Sequence, residues 1–203
     1  MTSTTTADRR GRRRKLAAIL AGGLVVGVGT MATLASWNDA EYASGSFTAG
    51  RFNLLGSVDQ SAFGEHASAG AAAALTFTAP VTALTPGDVV YAPYALRLDD
   101  TTTNGGTVAV TPGASTGTVT NVTYTLFNTA TAGCSAASTP VTTVVANGTD
   151  LGSVGTPLTF AVAKPVLPSA GAITYLCFKV TAGAALGQGQ TGTASWVFTA
   201  TSN

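Results

Sequence analysis

Charge is what this chain has least of. Only 9% of its 203 residues are charged, and there is a single histidine, His66. A zinc-dependent hydrolase needs two or three nitrogen or carboxylate ligands and a general base. No His-Glu-x-x-His stretch supplies them. Asp59, Glu65 and His66 are the nearest grouping, a weak metal site at most, and an exposed loop histidine is the preferred account of them. No catalytic residue, no metal site and no cofactor is therefore expected, and the chain is not read as an enzyme. Asp99-Asp100 resembles half of a calcium loop, but a solvated turn explains it too. Long amphipathic helical patterns are also missing. The scarcity of charge argues in turn against ordinary disorder, which needs high charge and low hydrophobicity.

The charge that is present is lopsided. Arg9, Arg10, Arg12, Arg13, Arg14 and Lys15 hold six of the ten cations. Leu16 to Ala35 then runs for twenty residues without a charge. A basic cluster, an apolar run and small residues at its end make a secretory signal. Thr33-Leu34-Ala35 fits the small-x-small rule, so cleavage after Ala35 is expected, with Ser36 as the neighbouring position. A retained membrane-spanning helix is the competing reading. Arg13-Arg14 also loosely resembles a twin-arginine signal. Beyond residue 35, four cations against eight acids leave a net charge of −4. The basic run is thus a targeting device, and no nucleic-acid footprint remains. The membrane is expected to be a partner only through this segment, and a signal peptidase is expected to act during export.

The remaining 168 or so residues suit one domain with a real core. Thirty-five threonines in the full chain, with many valines, favour strands. Period-two alternation recurs at Leu75 and Phe77, through Val89–Leu98, and at Val108 and Val110. It returns at Val122, Tyr124 and Leu126, at Leu158, Phe160 and Val162, around Cys177, and around Trp196. Glycine- and proline-rich turns separate these runs, as at Pro86-Gly87-Asp88 and Asn104-Gly105-Gly106. The pattern predicts an all-β chain, an antiparallel two-sheet sandwich of jelly-roll or immunoglobulin-like type. Residues 61–73 read as either a short helix or a loop, and 128–140 and 183–192 as loops. Three regions follow: residues 1–35 as signal, 36–56 as an N-terminal segment, and 57–203 as the sandwich.

Cys134 and Cys177 are the only cysteines. In an exported chain an even count suggests a disulfide. Two buried free thiols are the alternative.

Trp37-Asn38-Asp39 just past the expected cut, then Ser44-Gly45 and Phe47-Thr48-Ala49-Gly50-Arg51-Phe52-Asn53-Leu54, resemble the start of the TasA–camelysin family. These are biofilm-matrix and surface proteins exported through SipW-type signals. Leu84-Thr85-Pro86-Gly87-Asp88 is similar to a turn of that family, and GTASWVFTATS to its closing strand. The resemblance covers about eighteen residues at the junction and two short stretches later. Residues 100–190 match nothing in it, and the cysteine pair departs from its best-known members.

The resemblance implies a secreted, cell-surface or matrix subunit that assembles with copies of itself or with other surface components. It also implies donor-strand exchange, in which the segment at 46–55 completes a neighbour's sheet with Phe47, Phe52 and Leu54 as apolar anchors. The plain alternative is that 46–55 is the first strand of its own sandwich. A non-polymerising adhesin or binding sandwich, and a camelysin-like metallopeptidase, are the other function classes.

Overall fold

The computed structural model describes the backbone of residues 6–31 and 38–203, and the side chains of 11–23 and 38–203. The expected cleavage positions Ala35 and Ser36 lie outside the described residues. Two compact units result, Met1–Phe47 and Thr48–Asn203.

The first unit contains one helix, α1 (Thr6–Met31). Arg, Lys, Leu and Ala are good helix formers, which offsets the cost of about 1 kcal/mol for each interior glycine. Its side chains from Gly11 to Gly23 are exposed. Among the described residues, no helix is long and apolar enough to cross a membrane.

The second unit is built of antiparallel strands. They are β1 (Leu54–Ser57), β2 (Val89–Leu98), β3 (Gly106–Pro112), β4 (Thr116–Gly117) and β5 (Val122–Thr129). The series continues with β6 (Thr142–Asp150), β7 (Phe160–Val162), β8 (Thr174–Ala182), β9 (Gly192–Thr193) and β10 (Trp196–Ser202). Five of them form one sheet in the order β1-β2-β8-β5-β6. Three form a second sheet, β10-β3-β7, and β4 pairs with β9 in a small ribbon.

Alternation decides which face of each strand is dry. In β2, Val90, Ala92, Tyr94, Leu96 and Leu98 face the core. Leu176, Phe178 and Val180 of β8 and Val122, Tyr124 and Leu126 of β5 extend that layer. The smaller sheet answers with Val108, Val110, Phe160 and Val162, and with Trp196, Phe198 and Ala200 packed beside them. Rings meet between the sheets: Tyr94–Phe198 at 5.3 Å, Tyr124–Trp196 at 5.2 Å and Phe178–Trp196 at 4.7 Å between centroids. Each large apolar side chain so buried contributes about 1.5–3 kcal/mol. The architecture is sandwich-like, with a five-stranded layer facing a three-stranded one.

The other face of the large sheet carries Tyr91, Arg97, Thr125, Phe127, Cys177 and Lys179. Two loops cover part of it. The Cys134–Cys177 disulfide ties the loop after β5 onto this face. The loop after β1 places Phe63 beneath the Arg97 guanidinium, 4.1 Å from the ring centroid.

Two local expectations change, and one open alternative resolves. Leu75 and Phe77 do turn inward with Ala73, but the stretch forms no strand ladder. It ends where the Thr78 amide donates to the Tyr91 carbonyl at 2.8 Å, capping the side of β2 that β1 is too short to reach. Leu158 is exposed, and the strand there begins only at Phe160. Residues 61–73 are a loop holding a single 3-10 turn at Ala69–Ala71, consistent with glycine outweighing alanine in that stretch.

Candidate functional site

The segment leading into β1 changes character within a few residues. Residues 38–50 carry no regular secondary structure and are exposed throughout, with Tyr42 and Phe47 each 96% exposed. Their composition alternates: Ala43, Gly45, Phe47 and Ala49 on one parity, Ser44, Ser46 and Thr48 on the other. That is the pattern of a half-buried strand, carried by residues 43–49, which pair with no strand among the described residues.

From Arg51 onward the chain is held. The Thr103 amide donates to the Arg51 carbonyl at 2.9 Å, and the Arg51 amide to Thr103 Oγ1 at 3.2 Å. The Asn53 amide donates to Thr102 Oγ1 at 2.9 Å, and the Asp99 amide to the Asn53 carbonyl at 3.1 Å. Asn53 Nδ2 bridges two carboxylates, donating to Glu65 Oε1 at 2.7 Å and Asp99 Oδ2 at 2.9 Å. Phe52 and Leu54 pack against the core, and Leu54 pairs with Leu98. Of the three expected anchors, Phe52 and Leu54 thus lie in the subunit's own fold, while Phe47 is free in solvent.

The second feature is the open side of the small sheet. Among the described residues β10 is an edge strand paired only with β3, so one row of its amides and carbonyls has no ladder partner there. Trp196, Phe198 and Ala200 face the core yet remain half-buried, and Val197 on the other face is 47% exposed. The rings opposite them, Tyr124 and Phe178, are buried. Among the described residues no further strand pairs with the β10 side of the small sheet. An exposed edge of seven residues is a template for another strand.

The polar groupings considered from sequence do not converge. Asp59 Oδ1 accepts from the Ala62 amide at 2.7 Å, the Ser61 amide at 2.9 Å and the Ser57 hydroxyl at 2.7 Å. Those donors, the backbone amides first, hold its carboxyl well below the usual carboxylate range. Asp99 is pulled two ways. Partial burial pushes its pKa up, but donation from Asn53, Thr102 and Thr101 together outweighs this and brings it down to about 2. His66 points Nδ1 at the Ala71 carbonyl, 3.2 Å away. Asp59 and His66 bond within their own loop, Glu65 and Asp99 meet only through Asn53 Nδ2, and among the described residues no three metal-binding side chains come together.

An expected absence of the Gly-x-Ser-x-Gly pattern needs correcting: Gly113-Ala114-Ser115-Thr116-Gly117 spells it. A nucleophile elbow requires a strand-to-helix turn. Here Ser115 is exposed and the next element is the two-residue strand β4, so the match is accidental.

Gln60 is the residue that composition could not flag. It is buried at φ 62°. Its Nε2 donates to the Tyr94 carbonyl at 3.0 Å and the Leu176 carbonyl at 3.3 Å. Its Oε1 accepts from the Gly133 amide at 2.5 Å. One side chain therefore joins the loop after β1, the sheet and the disulfide-tied loop.

No protein-family model matches this chain, and no curated protein matches it.

Proposed function

We propose that this chain is an exported structural subunit that associates with copies of itself outside the cell. Residues 38–50 of one copy would lie along β10 of the next and complete its three-stranded sheet. The observation that carries this reading is Phe47: a fully exposed aromatic within the alternating run at 43–49, in a chain whose small sheet has the seven-residue β10 as an edge strand. Backbone ladder bonds would supply affinity, and Phe47 with its small neighbours would set the register.

Export is supported by the basic cluster and apolar run that precede this segment. Cleavage after Ala35 or Ser36 would leave the exposed segment at the new N-terminus, free to reach a neighbour. On this reading the domain is a jelly-roll-type sandwich and the chain a member of the TasA–camelysin family, acting at the cell surface or in an extracellular matrix. The likeness rests on the junction motif at 37–54 and the closing strand at β10.

Electron microscopy of the exported protein tests the proposal. Fibres are expected from the exported chain, and dispersed folded subunits from a chain starting at residue 51, which keeps every contact of Arg51, Phe52 and Leu54. An exported chain that stays monomeric at high concentration would overturn the reading.

A further inference from the structure

A second feature, independent of self-association, lies on the outer face of the large sheet. A groove of about 260 Å³ opens between the loop after Cys134 and β6. Its floor is a row across three strands: Tyr91 of β2 stands opposite Lys179 of β8, which stands opposite Thr125 of β5. Side chains so placed are direct neighbours, about 5 Å apart at Cβ. Asn147 and Thr143 of β6 line one side, and the loop with Ser138 and Pro140 the other.

Some polar groups here are unengaged, while Thr125 Oγ1 donates to the Val145 carbonyl and Ser138 Oγ accepts from the Ser135 amide. Among the described residues the Lys179 ammonium makes no ion pair or hydrogen bond, and neither do the Tyr91 hydroxyl, the Asn147 side-chain amide or the Thr143 hydroxyl. No carboxylate lines the groove. Past residue 35, in a stretch with twice as many acids as cations, an ammonium in a groove whose described lining holds no carboxylate is a local positive point. The acids elsewhere are screened beyond about 8 Å in physiological salt. The volume is just under the roughly 300–1,000 Å³ of sites for drug-sized ligands, which suits a single ring.

We propose that this groove binds a carboxylate-bearing sugar ring, a uronate unit of an acidic polysaccharide. Lys179 and the Tyr91 hydroxyl take the carboxylate. Asn147, Thr143 and Ser138 take ring hydroxyls, and Pro140 with the Tyr91 ring faces the C–H side of the sugar. A neutral sugar leaves Lys179 without its partner, and a bare inorganic anion leaves the amide and hydroxyls without theirs. The disulfide enters directly: Cys177 sits two residues before Lys179 on the same face of β8, and Cys134 begins the loop that forms the wall.

Titration calorimetry on the full chain tests the assignment, with galacturonate, polygalacturonate, galactose and inorganic sulfate as probes. Galacturonate and its polymer should bind, weakening as salt rises, and galactose should bind at least about tenfold more weakly. Lys179→Ala should lose about tenfold or more, Lys179→Arg should retain most of the affinity, and Lys164→Ala, outside the groove, should change nothing. The double variant Cys134→Ser, Cys177→Ser should weaken binding with every ligand-facing side chain intact. Circular dichroism confirms the fold of each variant. No galacturonate binding, equal binding of galactose, full competition by sulfate at equal concentration, or an unaffected Lys179→Ala would each overturn the proposal.

Discussion

The ring of Phe52 lies directly over Gly106. A Cβ at position 106 would stand 2.6 Å from Phe52 Cζ and 2.8 Å from the carbonyl oxygen of Thr201. Gly106 opens β3, the central strand of the small sheet, and pairs with both Val162 and Ser202. A single missing side chain thus lets the N-terminal segment, the central strand and the closing strand meet. Gly106→Ala should destabilise the fold by about 1–3 kcal/mol, the cost of overpacking a tight site. Denaturant unfolding checks this, with Gly70→Ala, where nothing lies within 4 Å, as the near-neutral control.

Phe52 and Phe47 should respond in opposite ways. Phe52→Ala removes packing against the core and should cost about 2 kcal/mol, below the ~3–5 kcal/mol of a fully buried phenylalanine. Phe47→Ala should change subunit stability by less than about 0.5 kcal/mol, as at other exposed positions. Unfolding curves of monomeric protein at low concentration measure both.

Removing the Cys134–Cys177 bridge should cost about 4 kcal/mol on the chain-entropy account of its 43-residue separation. The loss should appear in the unfolding midpoint of the double serine variant. Protease sensitivity should rise first in the loop at 130–140, where Gln60 then becomes the main remaining tie. Unchanged stability would show that Gln60 alone suffices.

Acid should weaken the fold through Asp99. Its pKa falls from 3.8 to about 2 on folding, so its contribution is complete above the unfolded value and disappears as pH drops through the folded one. Asp59, also depressed, acts in the same direction. Wild type should exceed Asp99→Asn in unfolding midpoint at about pH 6, and the gap should close by about pH 2. A gap that widens on acidification would contradict the hydrogen-bond account.

Much of the sandwich was legible because its strands keep strict alternation. Val89–Leu98 reads as one strand and is one, and the runs around Cys177 and Trp196 became β8 and β10. β6 was not legible. Val144 and Val145 are adjacent and both buried, because two register irregularities against β5 break the period of two. Leu75 and Phe77 alternate correctly, yet alternation reports burial and says nothing of a ladder partner. The disulfide was suggested by count and compartment alone. Gln60 gave no signal, since a glutamine between Asp59 and Ser61 reads as turn surface. The segment at 46–55 was legible as strand-like, but where free chain passes into packed chain depends on Thr102, Thr103 and Gly106, about fifty residues away.

The most direct test of self-association is a capping experiment with Phe47→Asp. This variant would lose its insertion strand while keeping the β10 edge, so it accepts a neighbour but cannot pass the chain onward. Alone it should stay folded and form no fibres. Added in substoichiometric amounts to exported wild-type protein, it should shorten fibres in proportion to its share, as measured by electron microscopy. Fibres formed by Phe47→Asp alone, or wild-type fibres whose length ignores it, would contradict the account.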